Sequence, residues 1–177
     1  MGDTLIGEGY APAGWFAHAA LIAPTLAGVG AWRPEPLQPR ELPALRPLVA
    51  AVEEHRVFFD PAVSELDPAA TRVVAGMVPD VVRLDSAAAS LGYGLRLEVV
   101  GSADDVGTPE DNARLRADRA ARVAGSLTPL LPPDLRIATA LAPADSATAS
   151  EVERARHRSA YLRVDVTPGD SATAAAP

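Results

Sequence analysis

Two hydrophobic rhythms run along this chain. Val74, Met77, Val81, Leu84, Ala88 and Leu91 recur at intervals of three, four and seven residues, the spacing that gathers side chains on one helical face. Asp67-Pro68 ahead of them offers a capping carboxylate and then a residue that needs no donor in the first turn, so a helix is expected to start there. Pro79 is expected to kink it, and "GYG" (92–94) to end it. The other rhythm is strict alternation. Leu95, Leu97 and Val99 alternate with Arg96 and Glu98, and Leu162, Val164 and Val166 alternate with Tyr161, Arg163 and Asp165. Both stretches predict half-buried strands.

The same reading puts a strand in "HRVFFDPAV", a helix after Thr108-Pro109-Glu110-Asp111, and a strand in "LRIATAL" with Leu135, Ile137 and Thr139 on one face. A short helix follows from Ser150, whose partner Glu153 completes a capping box. The order β-α-β-α-β-(α)-β predicts a two-layer α/β domain with helices on one side of a mixed sheet.

Residues 1–33 read as strand, short helix and strand. In 34–47, "PEPLQPRELPALRP", five prolines predict a linker or crossover. Regular patterning begins near residue 48, and the tail from 168 to 177 reads as disordered.

Composition narrows the function classes. The net charge of −7 over 177 residues disfavours a nucleic-acid surface or an anionic bilayer as partner. There is no cysteine, hence no disulfide, thiolate metal site or cysteine nucleophile. The apolar run at 15–32 contains Pro24 and follows an acidic stretch; it reads as a short helix on an apolar surface rather than a signal or span. All sixteen basic residues are arginine, a bias that lowers the weight of any single one.

The chemistry concentrates in "GSADDVGTPEDNARLRADRAARV" (101–123). On its helix Glu110 is expected to pair with Arg114, and Asp118 with Arg122, at i,i+4. Arg116 and Arg119 have no acid three or four residues away; with Asn112 they share a face. Just upstream lie Asp104-Asp105, with Gly107 to permit the turn. A strand-end loop beside a helix start suits a ligand. An aspartate for an ammonium and an arginine fork for a carboxylate would fit a zwitterion. A structural Asp104–Arg119 bridge explains the same residues. A metal at adjacent acids is disfavoured, because adjacent side chains rarely converge. His18, His55 and His157 lie in separate zones with no nucleophile motif, His55 reads as solvated, and neither enzyme chemistry nor a cofactor is indicated.

These residues resemble the peptidoglycan-associating domain shared by OmpA carboxyl-terminal parts, Pal lipoproteins and MotB stators. The pattern reads here as Gly101, Asp104, Gly107, Asn112, Leu115, Arg119-Ala120 and Val123, and the likeness extends over 48–167. It implies a non-enzymatic module that holds the diaminopimelate of peptidoglycan stem peptides and anchors an envelope protein to the wall. Asp104 would take the ammonium and Arg119 the carboxylate, with Asn112, Gly107 and Arg116 around them. Its implied place is the periplasm or cell envelope, with peptidoglycan and other envelope proteins as partners. Ser102-Ala103 stand where the family has His-Thr, Arg116 where it has serine, and Tyr161-Leu162-Arg163 where it has Asn-Arg-Arg. A degenerate domain serving as a protein-interaction scaffold is the alternative these departures raise. Residues 1–40 resemble part of a BON module through "GYAPAGWFAHAALIAPTLAGV" (9–29), as expected of a fragment or a shortened relative.

Overall fold

A computed structural model describes residues 3–11, 13–34, 37–39, 42–143 and 150–168. The expected disordered tail lies, but for Pro168, outside the described residues.

The amino-terminal segment is built from β1 (Asp3–Ile6), β2 (Gly9–Ala11), α1 (Ala13–Ile22), a 3-10 turn (Ala23–Thr25), β3 (Val29–Arg33) and β4 (Leu37–Pro39). β1 pairs in parallel with β3, and β2 in parallel with β4. The strand–helix–strand expectation therefore holds, with two further short strands. Trp15 and Trp32 meet edge to face at 6.2 Å, tying α1 to β3.

Where a proline-rich crossover is expected, the structure forms α2 (Leu42–Glu54), with Pro47 inside it. Pro43 falls in the first turn, where its missing donor costs little. Leu42, Leu45, Leu48, Val49 and Val52 follow helical spacing and join the core, Leu45 and Val52 fully. Packing of that face outweighs the bond lost at Pro47.

The main unit continues through β5 (Arg56–Phe58), α3 (Pro68–Ser90), β6 (Tyr93–Gly101), α4 (Pro109–Leu127), a 3-10 turn (Thr128–Leu130), β7 (Ile137–Leu141), α5 (Glu151–His157) and β8 (Ser159–Pro168). The sheet order is β5-β8-β6-β7, with β6 antiparallel to β8 and parallel to β7. The mixed α/β architecture is the one the alternation predicts.

The capping expectations hold. Asp67 accepts a bond from the Ala70 amide at 2.6 Å, Thr108 from the Asp111 amide at 3.1 Å, and Ser150 forms the full capping box with Glu153. α3 runs through Pro79 as one helix. Its Val74, Met77, Val81 and Leu84 are fully buried, each contributing about 1.5–3 kcal/mol gross. They meet Leu97, Val99 and Leu162 from the sheet and Ala120, Val123 and Leu127 from α4 in one core. Among the described residues, β5 pairs only with 159–161 of β8, and the Val164 amide beyond it donates to Glu53 of α2 at 2.9 Å. Glu53 thus satisfies a strand-edge donor.

Two local pairings differ from expectation. Arg114 pairs with Asp111 rather than Glu110, since both lie in the first turns of α4 at i,i+3. Arg122 reaches Glu65, at 3.9 Å, in place of Asp118. His55 is not simply solvated: its Nε2 lies 2.9 Å from Asp80 on α3, and both side chains are about three-quarters buried.

Candidate functional site

The site forms where β6 ends. Gly101 is required there by contact rather than torsion: a Cβ would fall on the Arg116 carbonyl and lie 3.1 Å from the Ala120 amide. The absent side chain lets α4 close on the strand. The Ser102 amide donates to Ser159 and the Ala142 amide to Gly101, so β8 and β7 hold the chain as it leaves the sheet. Ser102, Ala103 and Asp104 are consequently buried.

Asp104 faces the end of α5. Its Oδ2 accepts from Arg158 Nη1 at 3.0 Å, while Arg158 Nη2 donates to Glu151 Oε1 at 2.7 Å. One residue on, Asp105 accepts from Arg154 Nε at 2.9 Å. Two ion pairs therefore seat α5 on the 104–105 loop. Glu151 foremost, then Asp104, raise the pKa of Arg158. The Arg158 Nε is buried without a partner among the described residues.

In front of this bridge opens a cavity of about 740 Å³ whose wall includes Ala62, Asp104, Gly107, Asn112, Leu115 and Arg158. Gly107 adopts φ +106°, a left-handed conformation that glycine accommodates without strain. Ala62 takes φ 56°, a strained value for a residue with a Cβ.

Arg119 is placed otherwise than a ligand fork would be. Its side chain is fully buried. Nε donates to the Val63 carbonyl at 2.9 Å, Nη1 to Ser102 at 2.9 Å and Nη2 to Asp60 at 3.1 Å. The guanidinium carbon lies 5.1 Å from the centre of the Phe59 ring. Burial lowers its pKa to about 10, Asp104 opposes that shift and Arg158 reinforces it. It therefore remains a cation at neutral pH, binding the loop around Ala62 to the end of β6.

Among the sequence-derived candidates, Asp104, Asn112 and Gly107 meet at the cavity, whereas Arg119 and Arg116 are not part of its wall. Arg116 donates to the Ala142 carbonyl at 3.0 Å. The alternative of an Asp104–Arg119 bridge does not hold either: Asp104 pairs with Arg158, and Arg119 donates to three carbonyls. The family resemblance points to 161–163 for the last strand's contribution; the structure places Arg158, immediately before β8, against Asp104. A faint signal exists, because Glu151 and Arg158 stand seven residues apart, two turns along one helical face. Among the described residues, no group of three or more His, Asp or Glu side chains is arranged to hold a metal, and no helix is long and apolar enough to cross a membrane.

Neither a protein-family model nor a curated protein matches the sequence. Solved structures do match the fold. The peptidoglycan-associated lipoprotein from Burkholderia pseudomallei superposes with a TM-score of 0.50 at 18% identity, over 63% of this chain and 91% of that one. The periplasmic domain of Helicobacter pylori MotB gives 0.50 at 15% identity, over 67% and 76%. The helices and mixed four-stranded sheet of this chain thus have the fold of those two domains.

Proposed function

We propose that the main unit is a non-enzymatic peptidoglycan-binding module of the cell envelope, holding the diaminopimelate of a stem peptide in the cavity beside Asp104. The observation that carries this reading is a nearly buried carboxylate in the wall of a cavity the size of an amino acid and its neighbours, on a fold shared with a peptidoglycan-associated lipoprotein. Asp104 receives the ammonium, and Asn112 and the backbone at Gly107 position the amino acid. Arg158 is the cavity's cation nearest Asp104. Arg119 supports the site from behind by fixing both its walls, and Arg116 by holding the loop after β7. The segment through α1, with its parallel β1–β3 pair, is a partial BON-like module in this reading.

One charge-assisted contact on each side of the ligand, at about 1.5–3 kcal/mol before ordering costs, gives micromolar to millimolar affinity. Wall retention then comes from many copies on a polymer.

The experiment is co-sedimentation with purified sacculi beside titration with a diaminopimelate-containing muropeptide. Wild type is retained and binds saturably, while Asp104→Asn and Asn112→Ala lose most of both without unfolding. Equal retention of these variants would overturn the assignment.

A scaffold that binds protein rather than wall is the second reading. It is favoured by one observation: the donors of Arg119 and the terminal nitrogens of Arg158 are engaged inside the molecule. Absence of saturable muropeptide binding by wild type would support it.

A further inference from the structure

Arg158 does not meet the cavity with an open fork. Its two terminal nitrogens are divided between carboxylates of its own chain, Asp104 at 3.0 Å and Glu151 at 2.7 Å. The two partners differ. Asp104 is fixed at the strand end and only 9% exposed, whereas the Glu151 side chain is 69% exposed and also lines the cavity. Glu151 therefore occupies the guanidinium edge that an incoming carboxylate would use.

The wall's other cation among the described residues, Arg114, is an exposed residue on the helix surface. Arg114 pairs with Asp111, and the Arg119 donors are spent on three carbonyls behind the wall. The cavity wall carries five acids (Glu65, Asp104, Asp111, Asp118 and Glu151) against two arginines. A ligand ammonium is welcome there. A free ligand carboxylate must expel Glu151 from Arg158 or lie among like charges. A primary amide avoids both penalties: it is neutral, its NH2 donates to Glu151 without breaking the bridge, and its carbonyl can accept from the Asn112 side chain.

We infer that Glu151 is a specificity-determining residue, an in-chain carboxylate that holds the place of the ligand's own and makes the cavity select an amino-acid amine whose neighbouring carboxyl is amidated over the free acid. This rests on the stem-peptide reading above and names the ligand form that site takes.

The test is calorimetric titration of the full chain, wild type and Glu151→Gln, with meso-diaminopimelate and with its monoamide. Wild type binds the monoamide about tenfold more tightly, which corresponds to about 1.4 kcal/mol. Glu151→Gln brings the two ligands within about twofold of each other, by tightening the free acid rather than weakening the amide. A wild type that binds the free acid as well as the amide, or a ratio unchanged in Glu151→Gln, overturns the inference and leaves the stem-peptide reading standing. If neither ligand binds either protein while both remain folded, the stem-peptide reading fails and this inference with it.

Discussion

Asp104 and Arg158 are separated by 54 residues of sequence and by 3.0 Å in space, and each side chain is about nine-tenths buried. The pair joins the end of the central strand β6 to the residue that leads into its neighbour β8. It sets the orientation of Asp104, and so of the cavity's carboxylate.

Removing one partner strands the other as an uncompensated charge. Arg158→Ala is expected to cost about 3 kcal/mol in urea unfolding, and the double variant Asp104→Asn with Arg158→Met to recover at least half of that. Glu151→Gln, losing a partner that is mostly exposed, is expected to change stability by under about 1 kcal/mol.

Arg119 supplies donors to the Asp60, Val63 and Ser102 carbonyls. Arg119→Met and Arg119→Lys should both lower stability by about 3 kcal/mol, because a methionine leaves those carbonyls unpaired and an ammonium cannot span the planar fork. Were the residue an open ligand fork, either substitution would cost under about 1 kcal/mol. Urea midpoints at constant slope distinguish the two.

At Gly101 the added methyl of alanine meets helix backbone, which cannot rotate away. Gly101→Ala is expected to cost about 3 kcal/mol by forcing α4 off the sheet. Thermal denaturation would show it, and Gly125→Ala, where a Cβ meets open space, serves as the comparison expected to be neutral or slightly stabilising.

Burial, and secondarily Asp134, raises the pKa of Asp85 above 3.8. The folded chain therefore holds that proton to higher pH than the unfolded chain does. Ionised Asp85 costs stability above its folded pKa, and the cost disappears below its unfolded pKa. Asp85→Asn should accordingly raise Tm at pH 7, with the gain shrinking as pH falls through the carboxylate range. A gain that persists unchanged in acid would contradict this origin.

Much of the fold was legible in the residues because its signals are local. Period and capping placed α3, α4, β6 and β8, and Asp67, Thr108 and Ser150 act as their types suggest. α2 was obscured because proline dominates local propensity, while the reward for its leucine face comes from a core assembled elsewhere. The turn at Gly107, and the placing of Asp104 and Asn112 beside it, were legible for the same local reason.

What the sequence determined by itself is thus the succession of elements from β5 onward and the loop that joins β6 to α4, since both depend on spacings within a few residues. Which arginine serves that loop was decided only by tertiary structure. Arg119 looks unpaired along its helix, yet folding buries it against three carbonyls from two distant segments. Arg158 carries almost no local signal, yet the antiparallel return of β8 brings it to Asp104. Charge partners are chosen by distance in space, and a pattern confined to one helix does not contain that distance.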